Sequence, residues 1–372
     1  MSKQRLPRVA VIREAPCDRP FESLRHPSRR QFLTGMAALG AGAMIPAGGS
    51  LLQTAFGQTG PKTKPRRVDV HNHPGLSSDI ATSSGLPGSG ARDYFTGAAL
   101  EWTPAKVLDE MDKGGTDLAI LSNPGGGPQA GDVETRRKHV RIYNDYMAKL
   151  VHDYPGRFGM FTCLPWPDVD GSLKEVEYGL DVLKADGISL VTSYGNKWLG
   201  DPMFAPLFQE INRRKALIYT HPSTNQCCTN LVPAIRDPSI ELPTDTTRAI
   251  MSMIATGSSS RYPDMHVIFS HAGGTMPFLL PRLIKDSKKV PAGFLAEARR
   301  FYYDTAQAAN AAPMAALKNT VPVSHIVFGT DFPYISSADT AKGLKDSGVF
   351  TDAELLQIDR DNILQLLPKY NV

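Results

Sequence analysis

The run Val68-Asp69-Val70-His71-Asn72-His73 ends in two histidines one residue apart. Side chains at i and i+2 of a strand point to one face, so two imidazoles at this spacing can close on a single metal ion. Taken alone, the pair reads equally well as surface histidines at a strand end. Three later segments shift the balance: Tyr219-Thr220-His221-Pro222, Phe269-Ser270-His271-Ala272-Gly273-Gly274 and Phe328-Gly329-Thr330-Asp331-Phe332-Pro333. Imidazoles from His71, His73 and His221 with a carboxylate from Asp331 make the donor set of a catalytic metal site that keeps one position open. The set suits zinc first, and manganese, cobalt and iron also match it, because affinity alone does not choose among them. The plainer reading of Asp331 is a turn-forming residue. His271 has three readings: a fourth ligand, a core histidine held by backbone groups, or an acid/base working beside the metal, since imidazole titrates near neutral pH. Gly273-Gly274 after it lets backbone approach the site closely.

Bringing such residues together requires several strand ends in one place. Strand-like runs occur at Val68–Asn72, Leu118–Ser122, Phe158–Thr162, Gly187–Thr192, Leu217–Thr220, His266–Ser270, Phe301–Asp304 and Ile326–Gly329. Between them lie amphipathic segments such as Thr103–Lys113, Val133–Asp153, Ser172–Lys184, Met203–Arg214, Asp245–Ala255 and Met276–Lys288. Thr103-Pro104 reads as a helix start and Thr351-Asp352-Ala353-Glu354 as a capping box. This alternation, without a Gly-x-Gly-x-x-Gly loop, predicts a TIM (β/α)8 barrel over an open doubly wound sheet. Chemistry in such a barrel gathers at the C-terminal strand ends. That rule selects His71, His73, His221 and His271, sends His266 and His325 to the opposite face, and leaves His139 and His152 on a polar helix. The long segments 74–102 and 222–244, rich in Pro, Gly and Ser, are expected to cover the mouth as lids or dimer contacts. Tyr194 and Trp198, just past the fourth strand, either stack on an aromatic ligand there or serve packing.

With 41% hydrophobic and 21% charged residues, the composition is that of a soluble globular enzyme. One barrel domain of about 250 residues or more accounts for most of the chain. The formal charge of +4 resides in the first 57 residues, without which 33 basic residues face 34 acidic ones. No basic stripe remains, which excludes nucleic acid as a partner. Ser28-Arg29-Arg30-Gln31-Phe32-Leu33, a Gly/Ala-rich apolar run through Leu52 and the small residues around Ala55-Phe56-Gly57 have the pattern of a twin-arginine export signal. Residues 1–57 are therefore expected to engage the twin-arginine translocation machinery and deliver the chain to the periplasm or beyond. Residues 58–67 form a linker and 68–372 the catalytic domain; a membrane anchor flanked by chance arginines is the alternative. Cys17, Cys163, Cys227 and Cys228 show no Cys-x-x-Cys spacing and are expected to be unpaired thiols without a metal role.

Together, His71-x-His73, His221, Ser270-His271-Ala272-Gly273-Gly274 and Gly329-Thr330-Asp331-Phe332-Pro333 resemble the amidohydrolase superfamily from Val68 to Leu367. The branch is the one containing aminocarboxymuconate-semialdehyde decarboxylase. The stretch from Asp168-Val169-Asp170-Gly171 to Asn212-Arg213-Arg214-Lys215 is similar to 6-methylsalicylate decarboxylase-like members. The resemblance implies metal ligation by His71, His73, His221 and Asp331 and acid/base work by His271. A mononuclear site is implied too, since the fourth strand offers no lysine for a bridging carbamate. It further implies that Arg282, eleven positions after His271, reaches a neighbouring active site in a homodimer and grips a substrate carboxylate, a task suited to a planar guanidinium. A solvated helix arginine is the plain alternative. Where relatives carry a tryptophan after the fifth strand, this chain is Pro- and Asn-rich.

The expected activity is metal-dependent, non-oxidative decarboxylation of a small aromatic acid of ortho-hydroxybenzoate type, or of an unsaturated carboxylic acid. Asp331 or His271 would protonate the carbon that bears the carboxylate, and loss of carbon dioxide would restore conjugation. The same residues would also serve hydrolysis of an amide or lactone. A degenerate barrel would serve only as a secreted binding protein.

Overall fold

The computed structural model describes residues 65–75, 102–125, 131–285, 290 and 292–371. The expected export signal, most of the linker and most of the first long loop lie outside them. Eight strands form one parallel sheet in the order β1-β2-β3-β4-β7-β8-β9-β10. They are β1 (Val68–Asn72), β2 (Leu118–Leu121), β3 (Phe158–Cys163), β4 (Gly187–Val191), β7 (Leu217–His221), β8 (His266–Phe269), β9 (Tyr302–Asp304) and β10 (Ile326–Val327). A small antiparallel hairpin, β5 (Ser193–Tyr194) and β6 (Lys197–Trp198), follows β4. The principal helices, one per connection, are α1 (Pro104–Gly114), α2 (Val133–Asp153), α3 (Val169–Glu177), α4 (Ala205–Arg214), α5 (Asp237–Thr256), α6 (Met276–Leu283), α7 (Ala311–Thr320) and α8 (Ser337–Asp346).

The sheet closes on itself along a seam between β1 and the segment that leaves β10. Val70 N donates to Phe328 O over 3.0 Å, Asp331 N to His71 O over 2.9 Å and His73 N to Phe332 O over 2.9 Å. The architecture is therefore the TIM barrel that the alternating pattern predicts. Almost every strand residue is buried, as expected for parallel strands covered by helices. One apolar cluster joins Val68, Val70, Ile120, Phe161, Tyr219, Ile268 and Val327 to the C-terminal Ile363, Leu364 and Leu367. A larger one seats α4, α5 and α7 against the strands through Phe208, Ile211, Ile250, Met253, Met314 and Leu317.

Local chemistry sets the helix ends. The Thr103 hydroxyl accepts from Lys106 N with Pro104 in the first turn, and Gly115 at φ 72° ends α1. Asp132 caps α2, and Thr351 with Glu354 forms the expected capping box. Two stretches differ from expectation. The third helix starts at Val169, where Asp168 accepts from Gly171 N, and passes into a wider turn over Tyr178–Val182 instead of running on to Lys184. The segment after β7 is helical from Asp237, so its loop is shorter than the composition suggests. Pro243 sits inside that helix, and its carbonyl accepts from the Thr247 hydroxyl at 2.9 Å and Thr275 N at 3.4 Å. Among the described residues, no helix is long and apolar enough to cross a membrane.

Candidate active site

Strand alternation aims the site residues. Leu217, Tyr219 and His221 share one face of β7, which puts His221 at the C-terminal rim above the ring of Tyr219. On β1 the register shifts between Asp69 and Asn72, and His71 and His73 bring their Nε2 atoms to 3.0 Å from each other. Asp331 arrives across the seam: its Oδ1 lies 3.1 Å from His71 Nε2 and 3.0 Å from His73 Nε2. His271, just past β8, places Nε2 3.2 Å from the other oxygen, Oδ2. His71, His221, His271 and Asp331 offer donor atoms that all lie within 4.8 Å of one another. All five site residues identified from the strand ends thus converge at one end of the barrel. His266 and His325 stand at the opposite end, on either side of Tyr302.

Three of the four imidazoles are fixed by their far nitrogens. Nδ1 of His71 faces Asp304 Oδ2 at 2.8 Å, that of His73 faces Ser122 O at 3.0 Å, and that of His221 faces Pro222 O at 2.9 Å. An Nδ1–H donated to oxygen leaves the Nε2 lone pair pointing inward, the arrangement that orients a metal-ligating histidine. The cluster consequently has unshared electron pairs converging on one spot, which fits a cation.

The charge balance points the same way. Burial alone would depress His71, yet Asp331 and Asp304 outweigh it and lift the imidazole to about 10. Burial would raise the Asp331 carboxyl, but His71 and hydrogen bonds from His271, His71 and His73 hold it well below the usual range. Burial, then the neighbouring His73 and His71, drive His221 far below its ordinary value. Burial likewise lowers His73, despite its hydrogen bond to Asp331. Without an ion, the carboxylates of Asp331 and Asp304 thus favour positive charge at His71, while burial favours the neutral forms of His73 and His221.

Backbone strain concentrates at this end of the barrel. His271 (φ 54°), Ala272 (φ 55°), Gln307 (φ 56°) and Asp331 (φ 70°) all adopt left-handed conformations that non-glycine residues rarely hold. The turn at His271 is pinned by its own N–H, which donates to Asp304 Oδ1 at 2.7 Å. It ends at Gly274 (φ 66°), where any Cβ would collide with the Pro243 carbonyl of α5. Asp69 braces the seam below, accepting from His71 N and Thr330 N (both 3.0 Å), the Thr330 hydroxyl (2.8 Å) and Asn72 Nδ2 (3.1 Å).

Three residues singled out from sequence lie apart from this cluster. Tyr194 packs against Trp166 and Phe204, and its hydroxyl accepts from Val191 N at 3.3 Å. Trp198 Nε1 donates to Asp245 Oδ1 at 2.7 Å, and Ser193 Oγ donates to the other oxygen at 2.9 Å, clamping the β5–β6 hairpin to α5. Arg282 is exposed on α6 and has no hydrogen-bond or ion-pair partner among the described residues. Cys163, Cys227 and Cys228 are free thiols.

Sequence reasoning overlooked Asp304 and Gln307. Asp304 closes the seventh barrel strand, so the strand-end rule applied to carboxylates as well as histidines would have found it. Gln307, whose Nε2 donates to Asp331 Oδ2 at 2.9 Å, lies in a loop and carries no such signal.

Eight parallel strands with imidazoles and a carboxylate gathered at their C-terminal ends define a TIM-barrel protein with a divalent-metal site. The chain belongs to the amidohydrolase family, whose model it matches over residues 68–369. It is 35% identical over 333 residues to the decarboxylase yanB of Aspergillus niger, covering 82% of this chain and 88% of that one. It is 31% identical over 281 residues to 6-methylsalicylic acid decarboxylase of Penicillium expansum, covering 72% and 85%. A crystal structure of dihydroxybenzoic acid decarboxylase from Polaromonas sp. JS666, with manganese and the inhibitor 2-nitroresorcinol bound, shares the fold. Its TM-score is 0.70 at 19% identity, over 83% of this chain and 98% of that one.

Proposed function

We propose that this chain is a metal-dependent, non-oxidative decarboxylase of a small aromatic acid that carries a hydroxyl ortho to its carboxylate. The observation that carries the reaction type is the pair of relatives at 31–35% identity, both decarboxylases aligned over most of their length, together with an intact donor cluster. Nothing at the site favours the hydrolase alternative.

His71, His73, His221 and Asp331 are the ligands in this reading. The bound divalent ion supplies a Lewis acid that offsets the negative charge of the substrate. The donor set would accept zinc, manganese, cobalt or iron, and manganese is the ion bound in the dihydroxybenzoic acid decarboxylase structure of the same fold. The chain's own groups do the rest. Asp304, Ser122 and Pro222 hold the three imidazoles in register. Asp331 uses Oδ1 toward His71 and His73, while Oδ2 faces His271 and Gln307, so ligation and proton handling fall on opposite oxygens. His271 Nε2 gives a proton to the ring carbon bearing the carboxylate. The carbon–carbon bond then breaks, carbon dioxide leaves, and the electron pair restores the aromatic ring. His271 regains its proton from solvent, to which its side chain is 9% exposed.

Arg282 and the apolar Phe278, Leu279 and Ile284 exposed around it support a homodimer in which that arginine meets the partner's substrate. The arginine pair near the N-terminus supports export through the twin-arginine pathway.

The reaction is tested in heavy water with a salicylate-type acid and metal-loaded protein. One carbon dioxide should leave per turnover, and one deuterium should appear on the carbon that lost it. A product that keeps its carboxylate would shift the function to hydrolysis.

A further inference from the structure

We propose that Gln307 is a specificity-determining residue that recognises a hydroxyl adjacent to the substrate's carboxylate; its substrate class rests on the decarboxylase reading above. Gln307 stands three residues beyond β9, on the same end of the barrel as His271 and Asp331. Its side chain is exposed, yet it donates to Oδ2 of Asp331, a residue only 5% exposed. It is therefore the solvent-side partner of the buried carboxylate, and a ligand approaching that carboxylate meets Gln307 on the way in. The left-handed backbone at φ 56° is held on both sides: Ala306 N donates to Asp304 Oδ1 at 3.1 Å and Ala308 N to Thr305 O at 3.1 Å. Strain retained by such bracing at a site is characteristic of a residue whose direction matters.

A carboxamide offers two N–H donors and a carbonyl acceptor. One donor of Gln307 is taken by Asp331, and the rest of the amide has no partner among the described residues. A free donor beside a free acceptor complements a carboxylate oxygen beside a hydroxyl. An ortho-hydroxybenzoate carries that pair on adjacent carbons, whereas benzoate carries only the acceptor. Ligation at the metal and the amide N–H contact with the carboxylate contribute to binding either acid, so the change in their ratio on altering Gln307 isolates the contact with the hydroxyl.

The test is calorimetric binding of 2-hydroxybenzoate and of benzoate to metal-loaded wild type and to Gln307→Leu, with metal content and far-ultraviolet circular dichroism measured on the same samples. Leucine keeps the bulk of an exposed side chain, so fold and metal content should be unchanged. The variant should weaken both acids, which share the carboxylate contact, and should lower the preference for 2-hydroxybenzoate over benzoate roughly 5–50-fold, the usual range for leaving a hydroxyl unpaired in a site. A variant that weakens both acids equally, or neither, overturns the assignment. Carbon dioxide release is followed separately. If wild type binds with this selectivity but releases none, the decarboxylase reading fails while the role of Gln307 stands.

Discussion

Replacing His271 separates proton transfer from metal ligation. The His271 ring meets Asp331 through one contact, Nε2 to Oδ2 at 3.2 Å, and that oxygen keeps the Gln307 amide at 2.9 Å when the ring is gone. His71, His73 and His221 keep their Nδ1 partners, and Oδ1 of Asp331 keeps both neighbours. Metal content should therefore stay near wild type. Asparagine is the informative replacement, because it tolerates the left-handed φ of 54° better than most residues. Loss of one positioned proton donor should lower kcat roughly 10²–10⁴-fold, or about 2.7–5.5 kcal/mol in the barrier. The assay pairs metal analysis by plasma mass spectrometry with initial rates of carbon dioxide release. His73→Ala and His221→Ala, measured alongside, should lose metal and activity together. If His271→Asn loses its metal as they do, His271 is a ligand. If it keeps metal and loses less than tenfold in rate, the proton belongs to another group.

Three further outcomes are expected. Asp69→Ala leaves three buried N–H donors without an acceptor, the Thr330 hydroxyl keeping His71 O at 3.2 Å, and should cost about 3–5 kcal/mol of stability; a loss below about 1 kcal/mol in denaturant unfolding would remove its bracing role. Arg282→Ala and His271→Asn chains, each nearly inactive alone, should regain about a quarter of wild-type activity when mixed through unfolding and refolding, because half of randomly formed two-fold dimers hold one complete site. No recovery would mean that Arg282 acts within its own chain or not at all. Changing Arg29 and Arg30 together to Lys should leave unprocessed protein in the cytoplasm, since the export receptor reads the arginine pair, and normal delivery in cell fractionation would exclude that route.

The barrel was legible because the strands are short apolar runs, most of which stop at or near Pro, Gly or Asp, and because histidines fall at the same end of strands one, five and six. The start of α5 was not legible. Pro238 and Pro243 look like loop residues, but one occupies the first turn and the other hands its carbonyl to Thr247 and Thr275. Spacing could place His71 and His73 on one point, but the division of Asp331 between two sets of partners depends on turns at His271 and Gln307 that tertiary contacts impose. Tyr194 and Trp198 show the limit from the other side. Their position after the fourth strand suits the mouth, yet their ring and N–H contacts are with Trp166, Phe204 and Asp245.

The seam that closes the barrel also orders its synthesis. Asp69 and Thr330 are 261 residues apart in the chain yet hydrogen-bonded, and His71 shares that separation from Asp331 within a few positions. During translation, at about 5–20 residues per second, β1 emerges early and keeps an unpaired edge until the segment after β10 leaves the ribosome. Contacts of such long range are the slow ones to form. The nascent chain therefore holds His71 and His73, joined later by His221, without their carboxylate until Asp331 is made, and the donor cluster becomes complete only as the ring shuts.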